Sequence, residues 1–101
     1  MLNKKEVIEI LKNEIKANEN YSAAAIQKAN EGNIGAAKNL LEIANTAYKC
    51  ANQRLSQLKE ISKGRLTNEE LDLVCQTEAL YYNLKRAYKT IKNNQKYLKK
   101  F

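Results

Sequence analysis

The four residues "NEGN" at positions 30–33 decide the fold, because they end one helix and begin another. Gly32 suits the left-handed backbone conformation in which helices commonly end, and Asn33 can cap the next helix. The stretch "SKGR" at positions 62–65 predicts a second helix end of the same kind, with Gly64 in the left-handed conformation. Two such stops divide the chain into three segments of similar length.

Helix starts are encoded with equal clarity in "LNKKEV" at positions 2–7 and "LTNEEL" at positions 66–71. Each stretch has a cap residue followed by a Glu three positions later, and an apolar pair flanks the cap. The cap and Glu pairs are Asn3 with Glu6 and Thr67 with Glu70, and the apolar pairs are Leu2 with Val7 and Leu66 with Leu71. These signals predict helices that begin at about residues 4 and 68.

The signals together predict three long helices at about residues 4–31, 34–63 and 68–99. The 101-residue chain contains no Pro and three Gly, so little interrupts a helix between these stops. Connections this short make consecutive helices antiparallel neighbours. The predicted fold is all-α, an antiparallel up-down-up three-helix bundle, and residues 1–101 form a single domain.

Apolar residues recur every three or four positions in all three segments, as expected of helices that bury one face. The predicted series is Val7, Ile10, Leu11, Ile15, Ala25 and Ile26 in the first helix; Ala37, Leu40, Leu41, Ala44, Ala47, Tyr48, Ala51, Leu55, Leu58 and Ile61 in the second; and Leu71, Val74, Leu80, Tyr81, Leu84, Tyr88, Ile91 and Leu98 in the third. Ile8 and Tyr21 widen the apolar face of the first helix. That width leaves a homo-oligomer open as an alternative to a monomer.

The composition argues against an enzyme, a metal site and a bound cofactor. The chain has no His, the usual general base, and no glycine-rich phosphate loop. Cys50 and Cys75 form no metal-binding pair and are interpreted as small buried apolar side chains. Glu69, Glu70 and Asp72 lie in the first turns of the third helix, where negative charge suits the helix dipole.

No apolar run approaches the roughly 18 residues that cross a bilayer, which predicts no integral membrane insertion. The N-terminal residues alternate apolar side chains with Lys and Glu and do not resemble a signal peptide. The expected location is therefore the cytoplasm.

The third segment ends in a strongly basic stretch, and residues 85–101 contain seven Lys and Arg and no acid. Five of these lysines are spaced by four, three, four and three positions, which places them within about 80° around a helix. The predicted partner-binding residues are Lys85, Arg86, Lys89, Lys92, Lys96 and Lys99, with Tyr81 and Tyr88 at the border of this face.

Two interpretations of the basic stretch stay open: a solvated helix face and an anion-binding surface. Five like charges at these spacings repel one another, whereas faces that only confer solubility usually mix signs. The sequence therefore suggests a small non-enzymatic binding protein, such as an inhibitor, an adaptor or an immunity protein encoded by a phage or mobile element. It would bind an acidic protein partner through the lysines of the third helix.

The alternatives are a non-specific nucleic-acid-binding accessory protein, a Tyr-lined nucleotide site and a structural homo-oligomer. Lysines about one helical turn apart match phosphate spacing, and Tyr rings can stack on bases. Large apolar groups beside the lysines are few, so a membrane surface is the weakest of the candidate partners.

Overall fold

The computed structural model describes the backbone of residues 2–98 and the side chains of residues 2–96. It contains three helices, α1 (Lys4–Asn30), α2 (Ile34–Ile61) and α3 (Asn68–Leu98), which form the predicted three-helix bundle. The bundle is a rod with extents of 55 × 21 × 15 Å. α1 and α2 end one and two residues earlier than predicted, because Glu31 and Ser62 serve as C-caps.

The N-terminal caps lie where the sequence predicts them. Asn3 accepts a hydrogen bond from the Glu6 amide at 2.9 Å, and Thr67 accepts one from the Glu70 amide at 3.2 Å. Asn33 accepts one from the amide of Ala36 at 3.2 Å. Each cap satisfies a backbone donor that has no partner inside the helix.

The turn between α1 and α2 is the predicted glycine stop. Gly32 has φ +85°, and the Asn33 amide donates to the Lys28 carbonyl at 2.9 Å. The Gly32 amide donates to the Ala29 carbonyl at 3.0 Å, which completes a Schellman motif.

The turn between α2 and α3 differs from the prediction by one residue. Lys63, with φ +52°, takes the left-handed position after the C-cap, and Gly64, with φ +78°, follows it. Here the Gly64 amide donates to the Lys59 carbonyl at 3.2 Å, and the Lys63 amide donates to the Glu60 carbonyl at 3.1 Å. Gly64 was predicted to be the first left-handed residue after the helix, but Lys63 takes that position. The difference arises because α2 ends at Ile61 and two left-handed residues follow its C-cap.

The core consists of a large apolar cluster near one end of the rod and a smaller cluster near the other. The large cluster contains Val7, Leu11 and Ile15 of α1, Ala51, Leu55 and Leu58 of α2, and Leu73 and Leu80 of α3; the smaller one contains Ala29, Ala37 and Ile91. Leu2 and Leu66, which precede the caps, pack against the large cluster, as does Ile8. Buried alanines of α1 and α2 let these two helices approach closely, and α2 and α3 make the least extensive contact.

The buried face of α3 is rotated from the predicted one. Leu71, predicted to be buried, is 48% exposed, and Tyr81 and Tyr88 are also largely exposed. Their places in the core are taken by Leu73 and Thr77. α3 packs more on α1 than on α2. The buried stripe includes Leu80 and Ile91, as the apolar periodicity predicted, but also Leu73 and Thr77, which it did not identify.

Two smaller predictions about burial are also wrong. Ile61, the last residue of α2, is 41% exposed. Cys75 is exposed rather than buried, and Cys50 is half-buried; both are free thiols.

Candidate binding groove

The structure places the predicted partner-binding residues on the outer surface of α3. Lys85, Arg86, Lys89, Lys92 and Lys96 are all exposed, and the side chains of Tyr81 and Tyr88 are half or more exposed. Lys99 lies outside the described residues. The face that the sequence identified is therefore open to a partner along the described part of α3.

A groove with a volume of about 850 Å³ runs between α2 and α3 and divides these residues into two groups. Tyr81, Lys85, Tyr88 and Lys92 line it, whereas Lys89, Lys96 and Arg86 do not. Its other lining residues are Lys38, Leu41, Glu42, Asn45 and Tyr48 of α2, and Leu84, Ile91 and Gln95 of α3.

The groove follows from the way the three helices pack. Close packing between α1 and α2 and the lean of α3 toward α1 leave α2 and α3 apart along one side. Leu41, Leu84 and Tyr48 are half-buried there, and Ile91 is buried, so the floor of the groove is mostly apolar. The exposed rings of Tyr81 and Tyr88 extend that apolar surface toward solvent.

The electrostatics of the groove are positive. Three lysines, Lys38, Lys85 and Lys92, line it, and Glu42 is the one acid among its described lining residues. None of the three lysines forms an ion pair within the described part of the chain, unlike Lys4, Lys12 and Lys28, which do. Cations beside an apolar floor favour a ligand that is apolar on one side and anionic at its edges.

The α2 wall of this groove was not predicted from the sequence. Lys38, Leu41, Asn45 and Tyr48 are spaced by three, four and three positions, which is the signal of one helix face. Leu41 and Tyr48 were predicted to lie in the core, with Tyr48 also a candidate for a Tyr-lined cleft between copies. No local signal indicated that this face of α2 opens toward the basic face of α3.

Arg86 points to a second and smaller pocket of about 290 Å³ between α1 and α3. Glu19, Ser22 and Asn83 also line it, and the buried Ser22 hydroxyl has no hydrogen-bond partner among the described residues. Arg86 therefore belongs to a different surface from the groove lysines, although the sequence grouped them.

Glu70, at the opposite end of the rod from the groove lysines, has a structural role. Its carboxylate lies 2.7 Å from the Lys4 ammonium and accepts a hydrogen bond from the Ser62 hydroxyl at 3.3 Å. The hydrogen bond from Lys4 lowers the pKa of Glu70, and burial of the carboxyl opposes that shift without reversing it. The contact joins the first turns of α1 and α3 to the turn that follows α2.

The described residues contain no cluster of three or more His, Cys, Asp or Glu side chains that could hold a metal ion. Among the helices formed by residues 4–98, none is both long and apolar enough to span a membrane. No protein-family model, curated protein or solved structure matches the chain.

Proposed function

We propose that the protein is a non-enzymatic binding protein, of the inhibitor, adaptor or immunity type, that docks an acidic protein surface on the basic face of α3. The observation that carries the proposal is the meeting of Tyr81 and Tyr88 with Lys85 and Lys92 along an open groove. Tyr is enriched where proteins bind one another, because its ring supplies contact area at a small entropic cost and its hydroxyl stays solvated.

The charge of the whole chain agrees with that assignment. The chain has a formal net charge of +7, and residues 85–101 contain seven Lys and Arg and no acid, so this stretch attracts acidic partners from a distance and accelerates association. The exposed lysines of α3 form no ion pair within the described part of the chain, so a partner's carboxylates would have no such contact to displace.

The test has two steps, partner capture and a comparison with the triple variant Lys89→Glu, Lys92→Glu and Lys96→Glu. In the first step, a photocrosslinking residue placed at position 85 in cells that express the protein is expected to capture an acidic protein. The purified partner should then bind the wild type in a salt-sensitive manner and fail to bind the triple variant, while the helical circular dichroism signal stays unchanged.

A matched control keeps the same formal net charge and moves the reversals elsewhere. Lys5, Lys16 and Lys49 are exposed on α1 and α2 and form no described ion pair, so they can be changed to Glu together. Partner binding that weakens equally in both triple variants would show a non-specific charge effect and would contradict the proposal.

Nucleic acid is the second candidate, because the exposed rings of Tyr81, Tyr82 and Tyr88 stand beside the lysines and could stack on bases. Labelled random DNA and RNA oligonucleotides can be tested at about 50 and about 200 mM salt. Contact with four or five phosphates predicts a loss of affinity on the order of 100-fold between these concentrations. Tight, salt-steep binding that the triple variant loses would replace the protein partner with nucleic acid.

A further inference from the structure

We propose that the groove between α2 and α3 holds an amphipathic helix of the acidic partner, packed as a fourth helix of the bundle. This inference rests on the proposed function and deepens it, because it names the form of the partner and the residues that receive it. It also divides the lysines of α3 into those that define the site and those that lie outside it.

The length of the groove matches a short helix. Its α3 wall runs from Tyr81 to Gln95, which is about 21 Å along a helix, and its α2 wall from Lys38 to Tyr48 is about 15 Å. A docked helix of about 10–14 residues spans that distance with three to four turns. Helices pack at interaxial distances of about 8–10 Å, and a further helix can pack at this distance in a groove between two separated helices.

The backbone chemistry favours a helix over an extended segment. Residues 2–98 form helices and turns, and no sheet edge is present in this part of the chain to pair with a strand. An extended partner would lay unpaired backbone groups on the apolar floor made by Leu41, Leu84 and Ile91. A helix satisfies its own backbone hydrogen bonds and presents an apolar stripe to the same floor.

The charges in the groove indicate where the acidic residues of the docked helix lie. α2 and α3 are antiparallel, and Ala37 and Ile91 share one apolar cluster, so Lys38 and Lys92 lie at the same end of the groove. Tyr48 and Tyr81 lie toward the other end. We therefore expect acidic residues of the partner helix opposite Lys38 and Lys92 at one end and opposite Lys85 nearer the other, with apolar or aromatic residues facing the tyrosines.

Charge also argues against a second copy of this chain as the occupant. A two-fold contact through this surface would bring Lys85 and Lys92 of one copy toward the same residues of the other. The like charges would oppose association, because few acids stand nearby to compensate them.

The test uses three synthetic peptides of about 14 residues with blocked ends. The first has a Leu stripe at helical spacing with Glu at the flanking positions. The second keeps the Leu stripe and replaces Glu by Lys, and the third has the composition of the first in a strictly alternating order that forms no amphipathic helix. Binding is followed by NMR of the isotope-labelled full chain, which detects contacts as weak as about 1 mM.

Two side-chain amides in the groove report on occupancy directly. Asn45 and Gln95 line the groove, whereas Asn52 and Gln53 are exposed elsewhere on α2 and serve as internal controls. The first peptide is expected to shift the Asn45 and Gln95 resonances and to leave the two controls in place. The second and third peptides are expected to bind at least about tenfold more weakly.

Paired charge reversals separate this inference from the broader proposal. Lys85→Glu with Lys92→Glu changes the groove, and Lys89→Glu with Lys96→Glu makes the same change on the same helix outside it. The first pair should reduce affinity for the Glu peptide about tenfold or more, and the second by less than about threefold.

An aromatic control completes the set. Tyr81→Ala with Tyr88→Ala removes two exposed rings from the groove and should weaken the peptide about tenfold. Tyr21→Ala removes an exposed ring from α1 and should have no effect, because Tyr21 does not line the groove.

Each contrary outcome overturns a defined part of the argument. No shift at Asn45 and Gln95 with about 1 mM Glu peptide, or equal binding of the Lys peptide, would overturn the groove inference. Loss of partner binding only on reversal of Lys89 and Lys96 would also overturn it and would leave the broader proposal standing. An oligonucleotide that shifts the groove amides while the Glu peptide does not would overturn both.

Discussion

Lys63 adopts a backbone conformation that residues with a side chain rarely take. Its φ of +52° lies in the left-handed region, which costs an L-residue roughly 1–2 kcal/mol relative to the right-handed helix. The adjacent Gly64 has φ +78° and bears no such penalty. The end of α2 therefore stores a local strain that one substitution can relieve.

We expect Lys63→Gly to raise the free energy of unfolding by about 0.5–1 kcal/mol. The gain is smaller than the full strain, because glycine also increases the conformational entropy of the unfolded chain. Lys63→Ala is the control: it removes the ammonium group and keeps the strain, so it should leave stability nearly unchanged. Urea unfolding measures both, and an equal gain in the two variants would refute the backbone explanation.

Glu70 makes the stability of the bundle depend on pH. Its pKa is lowered in the folded protein, mainly by the hydrogen bond from Lys4, so the ionised carboxylate favours the folded state. This contribution is fully present above the ordinary pKa of 4.5 and is lost as the pH falls through the lowered value.

Glu70→Gln should therefore lower the Tm at neutral pH, and the difference from the wild type should shrink as the pH falls below about 4.5. Glu69→Gln is the matched control, since that carboxylate is 77% exposed and 3.3 Å from Lys12. Exposed ion pairs contribute little, so this variant should follow the wild type at every pH. Thermal unfolding between pH 3 and pH 7 decides the matter, and a constant Tm difference for Glu70→Gln would contradict it.

At the scale of the element, α3 shows how docking selects one face of a helix. Leu71 and Leu73 are two positions apart and identical in chemistry, yet the first is 48% exposed and the second is 3% exposed. Positions Leu73, Thr77, Leu80, Ala87 and Ile91 form the buried stripe. Thr77 is accommodated there because its hydroxyl donates to the Leu73 carbonyl at 2.7 Å.

This assignment predicts unequal effects for two leucine truncations. Leu73→Ala should lower the free energy of unfolding by about 2–5 kcal/mol, because it opens a cavity in the large cluster. Leu71→Ala should cost less than about 1 kcal/mol, because its side chain is already half in water. Chemical unfolding of the two variants side by side measures the difference, and similar losses would mean that α3 is rotated differently.

Helix existence and helix ends were predictable because their causes are local. Caps at Asn3, Asn33 and Thr67 act on amides within three positions, and Gly32 ends α1 through its own φ. The face that α3 buries was not predictable in the same way. Leucine and tyrosine lie on two neighbouring stripes of α3, and the apolar periodicity fits burial of either stripe. Contact with α1 determines which one is buried.

At the scale of the whole molecule, a polar layer between the two apolar clusters ties the three helices together. Buried Asn18 of α1 donates to the Ala44 carbonyl of α2 at 3.0 Å, and Asn83 of α3 donates to the Asn18 side-chain oxygen at 3.4 Å. A buried polar group of this kind favours the one alignment of helices in which its partners are within reach.

We expect Asn18→Ala to lower the free energy of unfolding by about 1–3 kcal/mol, since it removes both hydrogen bonds of the buried Asn18 amide and takes away the acceptor of the Asn83 amide. Asn83→Ala should cost less, because its hydrogen bond is long and the group is half-buried. The exposed Asn20 provides a control substitution to Ala that should be neutral. If Asn18→Ala were as stable as the control, the polar layer would have no role in stability.

The candidate site divides in the same manner between local and distant causes. The spacing of Lys85, Lys89, Lys92 and Lys96 was readable from the chain, because helical periodicity alone places them on one face. Two of these lysines, Lys85 and Lys92, line the groove, and Lys38 and Tyr48 of α2 line it with them. This arrangement depends on the angle between helices whose residues are far apart in sequence.

The sequence by itself determined three antiparallel helices, their caps and stops, and a basic face on the last helix, because each follows from interactions within a few residues. The tertiary structure alone decided which face of α3 is buried and where the groove opens. Those outcomes depend on how alanine, leucine and tyrosine side chains from three separate helices fill shared space, and close packing is a property of the whole assembly.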